Sequence, residues 1–260
     1  MRVSAIPQHI TRRLGAKSAS VLTAIEGGLD RIMIAWLLVS GLASAARIAT
    51  SPPGIAGIET VSPYLLLILA PFASMVLALR WFADGASLPQ SELRPAGIGR
   101  WRSVSVEEAM RHPLYGPGGI MVSLLVGILL NVAVRTMEYL AAMPALSGPV
   151  PAWLATLHLA MTLDVILVSS LYIVAFVAAL RRVPLFPRLL VTVWMVDVVM
   201  QLLIAQLVAG TNGLPPAVAD ALHELLDGNL KKVLISIGLW LPYLLLSARV
   251  NVTYRRRVPA

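Results

Sequence analysis

Hydrophobic positions along this chain come in long unbroken runs. Six runs are apolar over about 18–23 residues, without the alternation of a barrel strand, which is the length a helix needs to cross roughly 30 Å of hydrocarbon. They predict helices near 32–49, 63–82, 118–140, 159–180, 189–209 and 230–247. The backbone has no water to bond in a bilayer core, so such runs are helices packed as a bundle. The expected fold is all-α, a polytopic membrane bundle of six transmembrane helices.

The polar segments between the runs are small. At the start, Ile6, Ile10 and Leu14 recur every four residues beside Arg12, Arg13 and Lys17, which suits a helix lying in the membrane interface. Between the second and third runs, Ser105 and Glu108 form a capping-box pattern and Pro113 stops any helix begun there. Before the last run, "LPPAVADALHELLDG" predicts a separate short amphipathic helix, with Pro216 in its first turn and Gly228 at its end. Residues 1–110 thus form an N-terminal interfacial helix, two spans and a cytoplasmic loop, and residues 111–260 a four-helix unit.

Two stretches repeat. "IMIAWLLVSGLASAARIAT" (32–50) aligns with "IMVSLLVGILLNVAVRTME" (120–138), placing Arg47 on Arg135, and "VLALRWF" (76–82) aligns with "VAALRRV" (177–183). A Gly-Gly pair, Gly27–Gly28 or Gly118–Gly119, precedes each copy. Spans one and two are therefore read as a parallel repeat of spans three and four.

Composition agrees: 58% of the 260 residues are hydrophobic and 13% charged, against about 45–50% and 25% in soluble domains. Charge sets the orientation. Segments 1–31, 80–111, 181–188 and 249–257 hold 17 of the 21 Lys and Arg residues, and the opposite side holds Arg47, Arg135, Lys231 and Lys232. The positive-inside bias then places both termini in the cytoplasm of a cell whose inner membrane holds the chain. The two lysines run against this trend and are expected to snorkel to the outer headgroups. The 31-residue charged leader is long for a signal peptide, so the first span is expected to be retained despite "ASA" at 43–45. The net charge of +8 follows the span ends and implies no nucleic-acid partner. The expected partner is the lipid bilayer, with a second membrane protein able to approach closely along Gly41, Ala43 and Ala45.

Chemistry is sparse. The absence of cysteine excludes thiolate metal sites and cysteine nucleophiles. His9, His112, His158 and His223 lack metal-ligand spacing, and no nucleotide-binding or serine-nucleophile motif occurs. The chain is therefore expected to be no enzyme and to hold no cofactor or metal.

Ionisable groups within spans are the remaining candidates. At 1.5 Å per residue, Arg135 lies roughly 25 Å and Asp164 roughly 22 Å from the cytoplasmic edge, so the two are expected to pair, with Asn131 one turn below. The competing reading has Arg135 snorkel outward. Arg47 has Glu59 as its expected partner. Asp197 lies roughly 12 Å deep, where no arginine stands at matching height, with Gln201 one turn on. It is read either as a proton or cation site or as a neutral acid bonding across helices with Gln201.

Four stretches carry a resemblance: "LYGPGGIM" (114–121), "RRVPLFPRLLV" (181–191), "LWLPYLLLSARV" (239–250) and "NVTY" (251–254). In order and spacing, residues 112–257 resemble the bacterial inner-membrane family called domain of unknown function 2569, departing from it at Ile120, where the family has tryptophan. The resemblance implies a four-helix membrane unit without an established activity. The expected role is an accessory, scaffold or assembly component, with transport of a small solute, proton or cation through Asp197 as the alternative.

Overall fold

Apolar runs of this length place one residue in water-free surroundings at every position, and only the helix satisfies each backbone group locally. The computed structural model describes residues 8–51, 57–90 and 101–260. Its elements in chain order are α1 (Gln8–Gly27), α2 (Leu29–Thr50), α3 (Ile58–Trp81), β1 (Trp101–Ser103), α4 (Val106–Arg111), α5 (Ile120–Ala142), α6 (Ala152–Leu180), α7 (Phe186–Ala209), α8 (Pro216–Leu246), α9 (Ala248–Arg255) and β2 (Arg257–Pro259). Among the described residues, α2, α3, α5, α6, α7 and α8 are long and apolar enough to cross a membrane. The six-helix bundle expected from the hydrophobic pattern is the observed fold. Of the interfacial helix, the backbone of α1 is helical from Gln8; Ile6 and the side chains of Ile10, Arg12, Arg13 and Leu14 lie outside the described residues.

The centre of the bundle is α6, which α3, α5 and α7 flank, while α2 packs on α3 and α5, and α8 on α7. The helices expected to be related by the repeat therefore lie side by side, α2 with α5 and α3 with α6. Each ascending helix starts on a glycine, Gly28 for α2 and Gly119 for α5. At Gly119 the backbone has φ +63°, a conformation that a side chain would strain. Trp36 of α2 donates through Nε1 to the Ile68 carbonyl at 2.9 Å, on the turn of α3 loosened by Pro71.

One expectation fails at α8. The amphipathic segment and the last span are a single helix from Pro216 to Leu246, and Gly228 does not end it. A glycine terminates a helix when it turns left-handed, whereas here Lys231 Nζ meets Asp227 Oδ2 at 2.6 Å across that turn and the helix runs on. The capping box does form: Ser105 Oγ accepts from the Glu108 amide at 3.1 Å and starts α4.

The arginine-rich end of the bundle is closed by the last segment of the sequence. At the basic end the chain after α8 does not trail away. Ser247 caps α9, whose Val250, Asn251, Val252, Thr253 and Tyr254 are all buried. Tyr254 Oη donates to the Ala179 carbonyl at 2.8 Å, and burial pushes its phenol well above the ordinary range, which keeps it a neutral donor. Thr253 Oγ1 accepts from the Gly116 amide, and Arg249 reaches the carbonyls of Leu114 and Gly116. Arg256 donates to the carbonyls of Ala86 and Leu88. Finally β2 pairs antiparallel with β1, Arg102 opposite Val258. The stretch whose basic residues suggest a plain tail is thus a clasp that joins the lead-in to α5, the end of α6 and the α3–α4 loop.

Two outcomes test the clasp. Tyr254→Phe removes one buried hydrogen bond and should lower stability by about 1 kcal/mol. Tyr254→Ala should lower it by about 3–5 kcal/mol, as for other buried aromatic truncations. Thermal unfolding in mild detergent measures both, and a Tyr254→Ala protein as stable as the native chain would rule out the clasp.

Candidate functional site: a charged layer inside the bundle

The core divides into two apolar clusters. One fills the basic half, around Leu125, Ile128, Val168, Phe176, Leu190 and Val193. The other fills the opposite half, around Tyr64, Leu67, Met161, Val165, Ile204 and Val208. Between them runs a layer of polar side chains from α5, α6, α7 and α8.

Arg135 of α5 is its centre. Its Nη1 meets Asp164 Oδ2 of α6 at 2.7 Å, and its Nη2 meets Asp197 Oδ1 of α7 at 2.5 Å. Side-chain exposure is 11% for Arg135, 3% for Asp164 and 0% for Asp197, so both pairs sit away from water. Tyr172 of α6 donates to Asp197 Oδ2 at 3.0 Å. Gln201 of α7 spans both acids, at 3.3 Å from Asp164 and 3.5 Å from Asp197. Asn229 of α8 donates to Gln201 Oε1 at 3.3 Å. The chain ends on Lys232 of α8, 3.4 Å from Asn229 Oδ1 and 2.5 Å from Glu138 Oε1 of α5.

The Arg135–Asp164 contact is the one expected from matching heights, and Arg135 does not snorkel outward. Asp197 differs from expectation, since it has an arginine partner. Counting backbone heights missed this because a helical side chain leans toward the N-terminus of its helix. In α5 that direction is the basic end, so the long Arg135 stem descends to Asp197. Asn131 lies near this layer, in a slot wall with Tyr172 and Lys232, and no hydrogen bond joins it to the acids. Arg47 is held by the Met143 carbonyl, 2.8 Å from its Nε, in place of Glu59. Lys231 and Lys232 form ion pairs with Asp227 and Glu138 instead of reaching outward alone.

Sequence reasoning missed Tyr172, Asn229, Glu138 and Lys232 as members of the layer. For Tyr172 a signal existed: it stands eight residues after Asp164, on the same face of α6. A second polar group lies one turn from Arg135, where Tyr139 Oη and Thr162 Oγ1 are 2.6 Å apart and His158 Nε2 lies at 3.4 Å.

Above the layer, α5 and α8 separate into a cleft of about 560 Å³ with Asp164 and Arg135 in its lining. Toward the basic end, Ile128, Val168, Phe176 and Val193 pack below the layer, each 4% exposed or less.

The charge count predicts the energetics. One guanidinium faces two carboxylates, and a guanidinium keeps its proton in proteins. Asp164→Asn or Asp197→Asn alone leaves a balanced pair and should cost about 1 kcal/mol, the scale of one ordinary hydrogen bond. Both together strand a buried cation, as Arg135→Met strands two anions, and each should cost about 3–5 kcal/mol. Unfolding of the four variants in detergent checks this; additive costs for the two asparagines would show that the acids do not share Arg135.

Comparison with known proteins places the whole layer in one recognisable unit. A family model described as a protein of unknown function (DUF2569) matches residues 115–255, which hold every residue of the layer. No curated protein and no solved structure matches the chain. With more than half of its length matched, and six helices long and apolar enough to cross a membrane, the chain is a multi-pass membrane protein of the DUF2569 family.

Proposed function

We propose that this protein is a non-enzymatic accessory, scaffold or assembly component of a bacterial cytoplasmic membrane, with both termini inside. The observation that carries this reading is the self-satisfaction of the buried charges. Arg135, Asp164, Asp197, Tyr172 and Gln201 answer one another across three helices. A carrier that binds a proton or cation at Asp197 needs that carboxylate free in part of its cycle, and here both its oxygens are engaged. The charged layer then serves as a clasp that fixes how the helices meet, which suits a protein whose surface is its working part. Partner contact is assigned to α2, where Gly41 and Ala45 permit close approach and Ile34, Leu38 and Leu42 are exposed, whereas Ala43 packs on the inner apolar cluster. The orientation rests on sequence segments 1–31, 80–111, 181–188 and 249–257, which carry 17 of the 21 Lys and Arg residues.

A second reading, transport of a small solute, proton or cation, has the cleft in its favour, because it brings Arg135 and Asp164 within reach of the opposite end of the bundle.

Asp197→Asn separates the two. For an accessory component, abundance, co-purifying partners and any deletion phenotype should be retained. Loss of function with normal abundance and folding would favour transport and defeat the accessory reading. Orientation is checked separately with reporter fusions at 55, 100, 148, 184 and 213: 100 and 184 should report the cytoplasm and 55, 148 and 213 the opposite side, and the reverse pattern, or two neighbouring sites on one side, would overturn it.

A further inference from the structure

The cleft between α5 and α8 has features that a structural clasp does not need. Along it the two helices are joined by a side-chain pair, Lys232 with Glu138, both about half exposed. Its cavity of about 560 Å³ lies within the range of small-ligand sites. Charges of both signs line it. Glu138 stands on the α5 wall, Glu224 and Lys232 on the α8 wall, and Asp164 and Arg135 at the floor. A simple anion would meet three carboxylates there, and a simple cation would meet Lys232 and Arg135.

A zwitterion fits both. If its anionic group takes Lys232 and its ammonium takes Glu138, one ion pair becomes two, and no charge is left alone. This exchange separates the walls while leaving both charges partnered.

Depth and polarity indicate what carries the zwitterion. Glu138 lies 18 residues above the start of α5, about 27 Å at the helical rise, near the far edge of a hydrocarbon core about 30 Å thick. Toward the basic end the cleft narrows to a slot bounded by Asn131, Val134 and Val233. Beside this slot, Leu130 on α5 is 59% exposed and Ile235 on α8 is 70% exposed. Charged at headgroup depth and apolar below, the groove has the polarity of a phospholipid standing in that leaflet. We propose that the α5–α8 cleft binds a zwitterionic phospholipid of the phosphatidylethanolamine class, which enters sideways from the bilayer and opens the Lys232–Glu138 pair.

The test uses the full chain in detergent micelles, with retained lipid counted by native mass spectrometry. Dioleoyl phosphatidylethanolamine and dioleoyl phosphatidylglycerol are titrated in competition. The zwitterion should win by about tenfold, the effect of one good polar contact. Glu138→Gln should abolish that preference, Lys232→Met should weaken both lipids, and thermal unfolding shows whether each variant is folded. If either fails to fold, Glu224→Gln, which leaves the Lys232–Glu138 pair in place, should still reduce the preference. Equal retention of both lipids by the native chain, or a preference untouched in every folded variant, would overturn the proposal. So would displacement of the lipid by water-soluble glycerophosphoethanolamine at equal concentration, since the acyl chains would then contribute nothing. None of these readouts depends on whether the protein is an accessory component or a carrier.

Discussion

A guanidinium cannot discard its charge, and that constraint organises this protein. Once Arg135 stands in the middle of an apolar run, a carboxylate must come to it, and each acid that does so brings its own helix. Asp164 ties α6 to α5, and Asp197 ties α7 to both. Gln201 and Asn229 extend the link to α8. Lipid tails are as apolar as leucine, so burial of apolar surface does little to choose one arrangement of spans over another. Polar partners that accept few alternatives make that choice. Apolar clusters on either side remove competing water and hold the layer at one height.

The second organising element lies at the basic end, and it works through the backbone. Short helix α9 and strand β2 collect carbonyls and amides from segments far apart in sequence: Leu114, Gly116, Ala179, Ala86 and Leu88. Gly85 shows how tightly this end is packed, because a Cβ there would come within 2.7 Å of the Arg181 carbonyl oxygen. The two devices are complementary: one fixes the helices within the membrane, and the other fixes the loops that join them.

The hydrophobic pattern was enough to read six spans and their order, because length and apolarity are properties of each segment alone. Pairing was legible only in part. Arg135 with Asp164 follows from equal heights on adjacent helices, a one-dimensional argument that works when side chains extend sideways. Asp197 escaped it because the arginine stem runs along the helix axis. Gly228 misled for a related reason: a glycine marks the end of a helix only where the following residues withdraw, and the Asp227–Lys231 pair keeps them in place. The clasp was hidden most fully. "NVTYRRR" looks like a basic tail, and nothing local in it discloses that Tyr254 is buried against the end of α6.

That burial has a consequence for biosynthesis. Membrane insertion proceeds from the first span to the last, and α9 is made only after all six have emerged. Until then Ala179, Gly116 and the β1 strand lack the groups that will satisfy them. The basic end therefore stays open through the whole of synthesis and closes in one late step. A nascent chain interrupted after α8 would still present an unfinished surface at the basic end, which is the kind of signal that membrane proteases and chaperones read.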